Sequence, residues 1–585
     1  MAKPTKARLD KGLKRGRLSA AAALAIMLGA TAFVPSPALS AFESGEFSQS
    51  GNYLAGRYAG KHRDNATAAE FYGRALRTDP NNAVILERTF LLELSSGNID
   101  KAERLAARVI AQDGRNRTAR IVMGIRDFKA GRQEDARQHW LSASHGPIGE
   151  LTSALLTAWS FAAEKRTEEA LGALKKLSRT DSFSIYQTFH AALIADVGGF
   201  TEEARQLYER SYSSAGSSLR VVQAYGSFLS RNGEHDKARG IYETYAKSTN
   251  RHPLIAKVLD KDKAGETPKP MVSSPREGAA EALFGLASAL ADESGIDFAI
   301  IYAQMTLNLK PVFPIALTLL ADIYEDAKLY QLAIDVYDRI PETSPLRENA
   351  DIQIALDLNQ LDKTDEARAK LNKLIERDPM RYQPNATLAN ILRGRSKFKE
   401  AAEAYSKAIG LIDKIEQRHW TVFYFRGICY ERSKQWSKAE ADFRKALELQ
   451  PEQPLVLNYL GYSWVEQRHN LDEAFKMIRK AVELRPNDGY IVDSLGWAHY
   501  QLKQYEKAVE HLERAVELRP EDPVINDHLG DAYWRVGRKV EAKFQWRHAK
   551  DLKPEPENLE KIELKLENGL ENDNPSTVSN GPNKS

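Results

Sequence analysis

Aromatic and acidic side chains recur late in this 585-residue chain at the spacing of one helical face. The first set is Tyr424, Ile428 and Arg432, and the second is Asn458, Tyr462 and Glu466. Then come Tyr490, Asp493, Trp497, Tyr500 and Gln501, followed by Asp527, Asp531, Trp534 and Arg535. Residues three or four apart stand on the same side of a helix, so each set presents a common surface. Aromatic anchors among a few carboxylates suit the gripping of an extended or helical peptide whose apolar side chains enter pockets. For Trp497 and Trp534 the alternative is packing between adjacent helices, and the sequence leaves both readings open.

Residue types that could support catalysis are sparse. His499 falls where a core side chain is needed and reads as a packing histidine. His528 follows Asp527, but neighbouring helical residues point in different directions, so the two make no acid–base couple. His528 is accordingly expected on a solvated surface. Cys429, the single cysteine, reads as a small buried hydrophobe between Tyr424 and Tyr430. A reactive thiol would want cationic surroundings, which Arg426 and Arg432 supply only faintly. The chain shows no Cys/His metal spacing, no phosphate-cradling glycine loop and no serine elbow. It therefore reads as a non-enzyme that carries neither cofactor nor metal.

The elements that must position those faces are repeats. RKALELQPEQ at 444–453, RKAVELRPND at 479–488 and ERAVELRPED at 513–522 are near copies, and Pro451, Pro486, Pro520 and Pro554 succeed one another at 35, 34 and 34 residues. Each unit carries a small residue at position 8, Ala at 20 and 27, and Pro at 32. Residues 489–522 supply Gly496, Ala508, Ala515 and Pro520, and residues 523–556 supply Gly530, Ala542, Ala549 and Pro554. The unit at 420–453 has Gly427, Ala439, Ala446 and Pro451, while 454–488 fits with one inserted residue near His469. Small residues let two helices of a pair approach closely, large ones fill the space around them, and proline stops the second helix. The phase continues upstream through units starting near 382, 348, 314 and 280, giving eight units over 279–556. About six degenerate units occupy 49–259, anchored by Ala68, Ala102, Ala136, Ala170, Ala204 and Ala238. Between the blocks, DKDKAGETPKPMVSSPREG at 260–278 reads as a linker or loop. Residues 557–570 read as a capping helix, and the apolar-poor 571–585 as a disordered tail.

These repeats resemble the tetratricopeptide (TPR) family over most of the chain. The resemblance implies an all-α fold, an α-solenoid of antiparallel helix pairs wound into a right-handed superhelix, with about 14 repeats in two blocks. It also implies that the first helix of each repeat lines a concave surface through positions 2, 5, 9, 12 and 13. The partner-binding residues expected there are Tyr424, Asn458, Tyr462, Tyr490, Asp493, Trp497, Tyr500, Asp527, Asp531, Trp534 and Arg535. A lysine-and-asparagine clamp for a free carboxylate, known from chaperone cofactors of the family, is missing. Asn458 stands alone, and Asp493 and Asp527 would repel such a ligand. LNYLGYSWVEQ (457–467), RPNDGYIVDSLGWAHYQL (485–502) and DPVINDHLGDAYWRVGR (522–538) are similar to exported bacterial TPR scaffolds of the cell envelope. That group includes scaffolds that bind carboxy-terminal processing proteases and deliver substrates to them. The implied partners are therefore envelope proteins, such a protease among them. Those scaffolds are outer-membrane lipoproteins, whereas this chain has no lipid-accepting cysteine near its start.

The N-terminus carries an address. Seven Lys and Arg residues precede the apolar run Leu18–Val34 and then PSPALSA at 35–41, the order of a secretory signal peptide. Cleavage fits after Ser40, with Ala38 at −3, or after Ala41, and an uncleaved anchor is the alternative. Residues 1–40 hold seven basic residues and one acid, so their removal takes the net charge from +3 to −3. No basic stripe remains to favour nucleic acid. The reading is a periplasmic scaffold or adaptor that supports the envelope. A structural component of an envelope assembly or polysaccharide-export complex is the alternative.

Overall fold

The computed structural model describes residues 48–570 apart from 178–180, 250 and 292–294. The signal segment expected over 1–40 and the tail expected over 571–585 lie outside the described residues. Among the described residues there are thirty α-helices and no strand. They form fourteen antiparallel pairs, six from Gln49 to Ser248 and eight from Pro275 to Asp551. Two helices stand alone, Pro253–Lys263 and Pro556–Asn568. The chain is thus an all-α repeat solenoid.

Local chemistry explains each pair. Asp522 caps helix Pro523–Arg535 by accepting from the backbone of Val524 (2.9 Å) and Ile525 (3.1 Å), with Pro523 at the first helical position. The turn inside a pair needs one left-handed residue, supplied by Lys434 (φ 60), Lys503 (φ 58) and Gly537 (φ 85). In the pair with the inserted residue both Arg468 (φ 52) and Asn470 (φ 46) are left-handed, so the extra residue is absorbed in the turn.

The small-residue positions do what their spacing requires. A Cβ on Gly496 would lie 2.6 Å from Leu512, and one on Gly530 only 2.4 Å from Trp546. Ala439, Ala446, Ala508, Ala515, Ala542 and Ala549 are all fully buried in the same seams. Phe443, Leu512 and Trp546 fill the space those small residues leave.

One compact unit ends at Arg377 and a second begins at Asp378. The stretch 260–278 lies inside the first unit. Its opening residues complete helix Pro253–Lys263, and its last residues begin helix Pro275–Ala291. Between them the chain is held down, with Val272 buried and Ser227 Oγ donating to the Lys269 carbonyl at 2.9 Å.

Helices Pro275–Ala291 and Ile296–Leu309 do more than add a repeat to the first unit. The former packs against Gly146–Ala163 and Asp181–Val197, the latter against Ala83–Ser95 and Arg117–Lys129. All four of those are first helices of N-terminal pairs. Ile296–Leu309 is buried nearly all round, through Ile300, Ile301, Tyr302, Met305, Thr306 and Leu309. Such a helix belongs in an interior rather than on a surface. Polar ties fix the register: Tyr302 OH with Thr152 Oγ1 (3.0 Å), Gln304 Nε2 to the Ser95 carbonyl (3.2 Å), and Arg220 Nε to Glu281 Oε1 (2.7 Å). Gly278 lies flat on Trp159, where a Cβ would come within 2.3 Å of the indole. The first-helix faces of four N-terminal pairs are therefore occupied by the chain itself.

Candidate functional site

In the second unit, first helices pack side by side: Pro454–Glu466 against Gly489–Gln501, and that against Pro523–Arg535. Each contributes residues to one continuous face. Trp497 sits at its centre, sandwiched between Tyr500 (ring centroids 4.7 Å apart, planes 5° apart) and His528 (3.9 Å, 15°). Its indole N–H donates to Glu466 on the preceding helix. Tyr500 OH accepts from Arg535 Nε at 3.3 Å on the following helix. Tyr462, Trp497, Tyr500 and Arg535 are half-buried and Glu466 is exposed. The result is a rigid aromatic plate with a carboxylate at one edge and a guanidinium at the other. Burial, then Glu466 and Asp493, raises the phenol of Tyr462 above its usual value.

Beneath the plate the charges are paired. His528 Nδ1 lies 3.0 and 3.2 Å from the two oxygens of Asp493, and both side chains are buried. Burial alone would lower the imidazole pKa. The Asp493 carboxylate, with Asp527 and Asp531 nearby, outweighs it, so the pKa of His528 is raised. His528 is therefore not the solvated residue expected from its neighbour Asp527; its true partner is 35 residues back. Lys565 Nζ, on helix Pro556–Asn568, reaches Asp527 at 2.8 and 2.9 Å and Asp531 at 2.8 Å. Asp531 also accepts from Trp546 Nε1 at 2.9 Å. Burial pushes Asp531 up to about 6 against the opposing pull of Lys565. The like-charge repulsion expected from Asp493 and Asp527 is thus moderated inside the fold, because Asp527 meets the Lys565 ammonium and Asp493 is paired with His528.

The expected site residues divide by this geometry. Trp497, Tyr500 and Arg535 come together at the surface, and Tyr462 is half-buried on the preceding first helix. Asp493, Asp527 and Asp531 lie under it as supports. Trp534 packs on Trp546 (5.3 Å) and is covered by Gly569, where a Cβ would lie 2.0 Å from the indole. Packing, rather than an open ligand surface, is its place. Tyr424 is likewise buried, edge-on to Tyr459 (6.0 Å, 88°), and burial pushes its phenol up to about 12. Tyr490 stands away from the plate, 51% exposed, with Arg519 over its ring at 5.2 Å. Asn458 is half-buried and its Oδ1 has no hydrogen-bond partner.

Two residues of this site carry no local signal. His528 pairs one repeat earlier rather than with the aspartate beside it, so its immediate neighbours mislead. Lys565 lies 34 residues after Asp531, and only the repeat register carried past Pro554 points to it. The other candidates sit as expected. Cys429 is fully buried and burial pushes its thiol up to about 12. His499 is buried with Nδ1 2.8 Å from Gln504 Oε1, and burial lowers its pKa.

Residues 420–453 match the family model described as a tetratricopeptide repeat, and residues 496–537 match a second model described as a TPR repeat. Among solved structures, the chain is similar to that of the APC/C hetero-tetramer Cut9–Hcn1, at 14% identity and a TM-score of 0.36, covering 91% of this chain and 98% of that one. It is similar to yeast Tom70 at 13% identity and a TM-score of 0.30, over 89% and 95% of the two chains. A third similarity is to YrrB, described as a TPR protein with an unusual peptide-binding site, at 22% identity and a TM-score of 0.26, over 33% of this chain and 97% of that one. No curated protein sequence matches this chain.

Proposed function

We propose that this chain, a tetratricopeptide-repeat protein, is an exported scaffold that holds a protein partner of the cell envelope on the first-helix face of its second unit. Repeats of this family make protein–protein interaction scaffolds. The observation that carries the finer reading is the plate formed by Tyr500 and Trp497, half-buried and flanked by Glu466 and Arg535. A rigid aromatic surface loses little entropy on binding, and its two flanking charges give a peptide direction. In the first unit the corresponding faces of four pairs are filled by helices Pro275–Ala291 and Ile296–Leu309 and are closed to a guest, whereas the plate in the second unit is not covered in this way. The signal-like order of residues 1–41 supports export to the periplasm. The likeness of segments 457–467, 485–502 and 522–538 to envelope scaffolds supports a processing protease and its clients as the partners.

The test is affinity capture from envelope extract with chain starting at Ala41. The wild-type chain recovers a defined protein, and both Trp497→Ala and Arg535→Glu lose it while keeping the helical circular dichroism of the parent. Capture that survives both substitutions would move the site off this face.

A further inference from the structure

The first unit gathers three carboxylates around a buried floor. Asp357, on helix Arg347–Gln360, is 3% exposed, and its Oδ2 is buried with no hydrogen-bond partner. Asp322 and Glu325, on the preceding first helix Pro314–Asp326, act on its charge, and Gln353 of its own helix reaches Glu325. Among the groups they meet, Tyr337 OH donates to Asp322 Oδ1 at 2.8 Å, and Gln353 Nε2 lies 3.3 Å from both oxygens of Glu325. Tyr330 feels Asp357 and Glu325 from the neighbouring helix. Burial, then Glu325 and Asp322, pushes the Asp357 carboxyl up to about 8, with no cation acting against them.

When ionised, Asp357 is an acceptor-only group with one buried oxygen unpaired, and the two carboxylates beside it deepen the cost of that charge. A guest that brings several donors and a positive charge would relieve it. Among the described residues no group of three or more His, Cys, Asp or Glu is placed to hold a metal ion. A planar guanidinium fits the chemistry of three carboxyl groups, since its five N–H donors fan out to several acceptors where an ammonium offers a single point of charge. Asp322 and Glu325 occupy positions 9 and 12 of the unit that starts at Pro314, the same positions that place Trp497 and Tyr500 on the plate. Asp322, Glu325, Gln353 and Tyr330 are half-exposed, so the rim is reachable from solvent while Asp357 forms the floor.

We infer that Asp322, Glu325 and Asp357 form a receptor for an arginine side chain of a partner protein. This site is separate from the aromatic plate, and neither depends on the other.

The test uses the full chain with carboxyl-13C aspartate and N-acetyl-arginine amide as the probe. The Asp357 signal is assigned by its loss in Asp357→Asn. Saturating probe lowers the apparent pKa of Asp357 by about one unit or more, the direction a nearby cation imposes. N-acetyl-citrulline amide, neutral and of the same shape, leaves it in place. Glu325→Gln, at a half-exposed position, weakens probe binding about tenfold. No movement with the arginine probe, or an equal movement with citrulline, would overturn the site. An equal response to N-acetyl-lysine amide would overturn the selection of a guanidinium.

Discussion

Replacing Lys565 with Met keeps the side-chain stem and removes only the ammonium, so it isolates what the last helix owes to charge. Lys565 bridges Asp527 and Asp531 at 2.8 Å, with side-chain exposures of 17, 17 and 7%. Breaking a buried ion pair from one side costs about 3 kcal/mol, since the surviving charge is stranded. Partial exposure of Lys565 and Asp527 brings the expected cost to about 2 kcal/mol. The sign of its pH dependence comes from Asp531, whose folded carboxyl is raised to about 6. Such a raised carboxyl lends stability that is complete below its unfolded pKa and is lost as pH rises through about 6. Below that point Asp531 is protonated and the missing ammonium strands less charge. The cost of Lys565→Met is therefore largest above pH 7 and shrinks towards pH 5. Hydrogen exchange resolves it locally, because array repeats open one by one rather than together. Amides of helix Pro556–Asn568 should exchange about thirtyfold faster than in the parent at pH 8, and less than about fivefold faster at pH 5. Unchanged protection, or an equal acceleration at both pH values, would refute the claim that this ion triad seats the helix.

Three further outcomes test other parts of the structure. Gly278→Val drives side-chain atoms into Trp159, where even a Cβ would lie at 2.3 Å; it should cost about 3 kcal/mol and make helices Pro275–Ala291 and Ile296–Leu309 the first site of limited proteolysis. A digestion pattern like the parent's would count against their interior seat. Cys429, buried and with its thiol raised to about 12, should resist a disulfide reagent in native buffer at pH 8 and react fully in denaturant; immediate native labelling would contradict the packing. The raised Asp357 carboxyl lends stability present below 3.8 and lost as pH rises through about 8. Asp357→Asn should therefore melt above the parent by a margin that grows from pH 5 to pH 9, reaching about 2 kcal/mol; a margin independent of pH would show that Asp357 is not the titrating group.

Much of the site is legible in the sequence because the repeat fixes a register. Position 9 of successive units yields Trp497 and Asp531 from spacing alone, and the same arithmetic continued once more yields Lys565. The register cannot distinguish a side chain on the face from one beneath it. Trp497 and Trp534 look alike in sequence, yet one is half-buried in an aromatic stack and the other is capped by Gly569. The difference lies in the segment that follows Pro554, since a terminal repeat needs a cover that interior repeats obtain from their neighbours.

The sequence by itself determined the helix pairs, since small residues at 8, 20 and 27 and proline at 32 are short-range requirements met within each unit. It could not say where a pair would lodge. Helix Ile296–Leu309 carries the common spacing, but its apolar residues spread around most of its circumference, and burying them requires first helices up to 209 residues away, as Gln304 and Ser95 show. Only the folded chain could decide that the inner faces of four N-terminal pairs are filled by two later helices, because that choice depends on contacts between distant repeats rather than on the pattern inside any one of them.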